Sequence, residues 1–102
     1  MELSQNHRFG DDEARERIRA LGDYMQNKHG MQVTWTSNDT VHLSGKYTLI
    51  TIDVHVTLGP GVVMAKGKDP GMMLRSTAKK YVGGKLESYL DPNVPLDQLP
   101  RT

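Results

Sequence analysis

The sequence predicts a two-layer α+β domain in the order β-α-β-β-β-β-α. One face of an antiparallel sheet is expected to pack against two amphipathic helices. Three observations lead there. Apolar residues recur at helical spacing over residues 11–29 and again after Asp69, they alternate in the stretch between, and turn residues divide that stretch into strands. A sheet and helices that are each apolar on one side solve each other's burial problem by packing together. A long closing helix across an antiparallel sheet is also the plan of helix-grip folds, by analogy of fold alone.

The first stretch, Glu2 to Phe9, alternates Leu3, Gln5, His7 and Phe9 against polar neighbours and reads as a strand. Gly10 punctuates it. Asp11, Asp12 and Glu13 then crowd the first turn of a helix, and Lys28 and His29 occupy its last, as the helix dipole favours. Ala14, Ile18, Leu21, Tyr24 and Met25 form its apolar stripe, and Gly30 suits the left-handed residue that closes it. A helix over 11–29 runs about 28 Å.

Beyond Gly30 the period becomes two. Met31, Val33 and Trp35 share one parity, which predicts a buried Trp35, and Ser37-Asn38-Asp39 makes a turn. Val41 and Leu43 alternate with His42 and Ser44, and Gly45-Lys46 reads as the next turn. In the following strand Ile50, Ile52, Val54, Val56 and Leu58 oppose Thr51, Asp53, His55 and Thr57. Pairing Ser44 with Tyr47 and Leu58 with Val62 brings apolar partners together, Val41 with Ile50 and Val56 with Met64. Asp69-Pro70 reads as cap and first position of the second helix, whose stripe is Leu74, Ala78, Tyr81, Val82, Leu86, Tyr89 and Leu90. Asp91-Pro92 ends it. The domain is thus expected over residues 1–91, with 92–102 an extended, mobile tail.

Composition narrows the chemistry. A chain of 102 residues without cysteine has no disulfide framework, thiolate metal site or thiol nucleophile. No run approaches the ~18 apolar residues of a membrane span, and no secretory leader is evident, so a cytoplasmic location is expected. No serine has a nucleophile-elbow context, and Asp69-Pro70-Gly71 matches no phosphate-binding fingerprint, so neither an enzyme nor a cofactor is expected. Asp53 and His55 could supply two metal ligands, but the register above offsets His42 toward Leu49. All three then read as ordinary residues of a solvated face, and no metal is expected. His7 has inward parity and reads as a core or rim histidine bonded to nearby backbone.

Charge is uneven within a net of +1. Residues 66–85 carry Lys66, Lys68, Arg75, Lys79, Lys80 and Lys85 against Asp69 alone. Such a face aids solubility or meets an anionic surface. The tyrosines lie on the apolar stripe, away from the lysines, so nucleic acid is not the expected partner. Gly83-Gly84 interrupts the second helix, which requires either a break or a close backbone approach. Met72 and Met73 cannot both face one core, so at least one is expected in solvent or against a partner.

The strand ending in His7, Gly10 with Glu13-Ala14-Arg15, Val33-Thr34-Trp35, Val41-His42-Leu43 and a closing helix with Lys85-Leu86 together resemble the polyhydroxyalkanoic acid system protein family. The resemblance spans residues 2–91. It implies a small bacterial cytoplasmic protein of the polyhydroxyalkanoate granule system, with no catalytic residues to carry over. The expected function is a non-enzymatic binding or accessory role, contacting polymer, lipid or a granule protein through Arg75, Lys79, Lys80, Met72, Met73, Gly83 and Gly84. The rivals are a helix-grip-like carrier of a small hydrophobic ligand and a self-associating, homo-oligomeric subunit.

Overall fold

The computed structural model describes residues 1–102. The elements follow in the expected order: β1 (Glu2–Asn6), α1 (Asp11–His29), β2 (Gln32–Trp35), β3 (Thr40–Tyr47), β4 (Ile50–Gly59), β5 (Val62–Gly67) and α2 (Arg75–Tyr89), then a 3₁₀ turn at Leu96–Gln98. The strands form one antiparallel sheet in the order β1-β5-β4-β3-β2. Both helices cover the same face. The other face stays open, which only an antiparallel sheet commonly allows.

Helix α1 has the predicted bounds. Gly30, at φ 67°, closes it, and the amides of Gly30 and Met31 donate to the carbonyls of Gln26 and Met25. Ile18, Leu21 and Met25 from α1 meet Val41, Leu43, Ile52, Val54, Val56, Val63 and Ala65 from the sheet, and Ala78, Val82, Leu86 and Tyr89 from α2. Trp35 shares that face as predicted. Because β2 is an edge strand, however, its indole remains half-buried beneath the Arg19 guanidinium, 4.9 Å away.

Both hairpins sit in other registers than the sequence suggested. Gly45 and Lys46 are not a turn but part of β3, and the chain reverses at Thr48-Leu49 between paired Tyr47 and Ile50. The reason is packing. A Cβ at Gly45 would lie 2.8 Å from Met31 Cγ, so this glycine admits a core side chain against the strand. Val41 accordingly pairs with Val56, and Ser44 with Asp53. In the next hairpin Leu58 pairs with Val63 and Val56 with Ala65, which turns Met64 outward. The first strand is also shorter than expected, ending at Asn6. Helix α2 starts at Arg75, since Asp69 instead accepts from the Gly71 amide at 2.9 Å in a turn where Gly71 has φ 104°.

The segment after α2 differs most from the extended tail expected. It folds back on α1 around Arg17, which is only 2% exposed. Arg17 Nε donates to Glu13 at 2.9 Å, Nη1 to the carbonyls of Tyr89 and Asp91, and Nη2 to the Val94 carbonyl at 2.7 Å. Its guanidinium lies 4.0 Å over the Phe9 ring. Leu99 is buried, Tyr89 Oη donates to the Pro100 carbonyl at 2.6 Å, and Arg101 pairs with Asp23 at 2.7 Å.

Removing the buried Arg17 guanidinium leaves a cavity and deprives the Tyr89 carbonyl, whose hydrogen bond to it is buried, of its donor. Arg17→Ala is therefore expected to cost about 3–5 kcal/mol in urea unfolding. Arg17→Lys should recover little, because an ammonium cannot reproduce the planar fork. The same packing pushes the Tyr81 and Tyr89 phenols up to about 12, chiefly through burial. Their folded values lie above the unfolded value, so the stability they contribute is complete below about pH 10 and lost as pH rises toward the folded value. In absorbance titrations near 295 nm, Tyr81→Phe and Tyr89→Phe should each remove a transition near pH 12.

Candidate functional site

One end of the sheet gathers apolar and basic side chains that the fold leaves outside. Strand β5 ends at Gly67, opposite Val54, while β4 runs on to its reversal at Thr48-Leu49. The link from β5 to α2 therefore emerges at the same end as that hairpin tip. Leu49 is 89% exposed, Met72 86% and Met73 95%. Both methionines face solvent, where the sequence required only one to do so. Thr48 holds φ 54° in a two-residue loop, a position that glycine normally takes and a β-branched residue strains.

Helix α2 begins here, and its start runs against the usual rules. It has no side-chain cap and no acidic residue in its first turn. Arg75, Lys79 and Lys80 are exposed near the end that already carries the positive pole of the dipole. Arg75 pairs with Asp69, which holds the Asp69 carboxyl below its usual range, whereas Lys79 and Lys80 join none of the ion pairs. Lys85 is different: its ammonium lies 4.6 Å over the Tyr24 ring, outside this group.

Gly83 and Gly84 do not break α2, and a Cβ on either would meet nothing within 4 Å. No close approach inside this chain accounts for them, and they lie further along the helix from the exposed tip.

The open face of the sheet brings together three residues that sequence reasoning separated. In the observed register His42 pairs directly with His55. The rings stack with centroids 4.3 Å apart, and His42 Nε2 donates to Asp53 Oδ1 at 2.7 Å. That hydrogen bond, with Lys68 3.7 Å from Oδ2, holds the Asp53 carboxyl below its usual range. The misplaced turn at Gly45 had hidden this cluster.

His7 follows β1, and its Nδ1 accepts from the Phe9 amide at 3.1 Å, as a rim histidine should. Its Nε2 is buried without a partner. The ring borders a groove of about 520 Å³ between residues 5–9 and Glu87, Leu90, Asp91 and Pro92. Between sheet and α2, a void of about 20 Å³ is lined by Leu21, Met25, Ile52, Val82 and Leu86 among others. That is room for about one water, far short of the several hundred Å³ of a small-molecule pocket. This void does not hold a carrier's ligand, whereas the groove beside His7, between β1 and the end of α2, has the volume of a small-molecule site.

These features define a small two-layer α+β protein with a filled core, whose unusual chemistry lies on its surfaces. No helix is long and apolar enough to cross a membrane. The chain belongs to the polyhydroxyalkanoic acid system protein family, whose model matches residues 1–94. The match reaches Val94, whose carbonyl Arg17 holds. No curated protein and no solved structure matches the chain.

Since both glycines of α2 have open space, Gly83→Ala and Gly84→Ala should each stabilise the protein by about 0.8–1 kcal/mol. Denaturant midpoints at unchanged slope would measure the gain; a loss in either variant would contradict the continuous helix.

Proposed function

We propose that this protein is a non-enzymatic accessory component of the polyhydroxyalkanoate system that docks on the granule surface. Leu49, Met72 and Met73 enter the apolar boundary, and Arg75, Lys79 and Lys80 face its anionic groups. The observation that carries this reading is the exposure of three large apolar side chains at the end of the sheet where α2 begins, with Lys79 and Lys80 unpaired on its first turns. Water does not favour such exposure, and apolar side chains held out beside charge suit an interaction surface. Methionine suits an irregular or fluid surface because its unbranched chain adapts to the gaps it finds. A negative surface would also relieve the repulsion between the basic residues and the dipole of α2. Family membership supplies the granule system as the setting.

Co-sedimentation with isolated granules, and with anionic vesicles, tests this directly. Each basic residue near an anionic surface contributes about 1 kcal/mol, so Arg75→Glu, Lys79→Glu and Lys80→Glu combined should weaken association on the order of a hundredfold or more. Met72→Ser with Met73→Ser should weaken it comparably, since each buried side chain is worth about 1.5–3 kcal/mol. Rising salt should erode only the basic contribution. Undiminished binding by both variants would remove this end of the molecule from the mechanism.

A further inference from the structure

The open face of the sheet carries a second concentration of chemistry, independent of the docking reading. Strands β3 and β4 lie inside the sheet, each hydrogen-bonded on both sides, so residues on them are held by a stiff frame. Antiparallel pairing sets His42 opposite His55, and Asp53 projects from the same face two residues before His55. An isolated Asp-x-His pair on a solvated strand is commonplace. Here the neighbouring strand adds a second imidazole, and one ligating atom from each residue lies within 4.8 Å of the other two.

We propose that His42, Asp53 and His55 bind a single divalent transition-metal ion of the zinc, nickel and copper class. Tetrahedral zinc, with Zn–N near 2.0–2.1 Å, needs donor atoms about 3.3 Å apart. His42 Nε2 and Asp53 Oδ1 are at 2.7 Å, so binding requires side-chain rotation that opens that pair and draws in His55. Two imidazoles and a carboxylate suit these borderline ions, whereas magnesium and calcium prefer all-oxygen shells. A cation competes with two nearby lysines for this site. Lys66, opposite His55, is drawn toward Glu2 at 3.6 Å, and Lys68 approaches the oxygen of Asp53 that His42 does not use. Three protein ligands leave at least one coordination position for water or a small anionic ligand. A depression of about 260 Å³ lined by His55, Thr57, Met64 and Lys66 adjoins the site and gives such a ligand room.

The test uses the untagged full-length protein, titrated calorimetrically with Zn²⁺ and Ni²⁺, with Mg²⁺ as control. One Zn²⁺ should bind per chain and Mg²⁺ should not compete. His55→Ala removes an exposed side chain, so the fold is kept, as circular dichroism will verify. It should lower zinc affinity by about 10–100-fold or more, the scale that even outer partners of metal ligands command. Asp53→Asn should act in the same direction. Zinc should shift the ring-nitrogen resonances of His42 and His55 while leaving those of His7 and His29 in place. Absence of saturable zinc binding by the folded wild type would overturn the proposal. So would unchanged affinity in both variants, or shifts confined to His7 or His29.

Discussion

A guanidinium leaves water only if its N–H donors find other acceptors, and Arg17 achieves this by organising two distant parts of the chain around itself. Three of its acceptors are carbonyls from the stretch between Tyr89 and Val94, at the end of α2 and just beyond it. The fourth is Glu13, one turn back on its own helix, and the Phe9 ring closes one face. The carbonyls at a helix end are among the groups that a helix cannot satisfy internally. One side chain thus takes up the last carbonyl of α2, holds the chain that follows it, and joins both to α1. Burial of Leu99 and the Tyr89 bond to Pro100 follow from that route.

A comparable constraint sets the sheet register. Met31, just after α1, needs a place in the core, and the missing Cβ of Gly45 provides it. This requires β3 to continue straight through Gly45-Lys46 and to reverse at Thr48-Leu49, although neither of those residues is a good turn former. Gly67 makes a parallel case: a Cβ there would come within 2.4 Å of Val54 Cγ1 and of the Asp53 carbonyl. Both glycines mark close packing between neighbours, which resembles punctuation when the sequence is read alone. Gly83 and Gly84 show the reverse, since the helix runs through them with room for a Cβ on each.

Local rules are broken most densely at the end of the sheet that carries Leu49, Met72 and Met73. There a threonine holds a positive φ, a helix starts without a cap, and basic residues sit at the positive pole of a dipole. Departures of this kind are tolerated where function requires them and the rest of the structure is consistent. The filled interior and regular core elements of this protein supply that consistency. The open sheet face is different in kind: its histidines and carboxylate occupy regular positions on well-paired strands.

The sequence by itself determined the fold class, the bounds of α1, the inward parity of β2, β3 and β4, and the apolar stripe of α2. Those depend on periodicity, which each segment expresses alone through which of its faces must leave water. Exposure of at least one of Met72 and Met73 was expected from a helix beginning at Asp69-Pro70, but α2 starts at Arg75 and both methionines lie in the turn before it. The stacked His42–His55 pair beside Asp53, the docking of the chain end and the outward Met64 were decided by the tertiary structure. The first two depend on a partner distant in sequence: the strand register set by Met31 against Gly45, or the carbonyls gathered by Arg17. Between β3 and β4 the shift that sets Val41 opposite Val56 rather than Ile50 keeps every face, and the one-residue shift at Leu58 turns β5 over. Alternation within each strand favours neither register, so only packing against the rest of the molecule could choose.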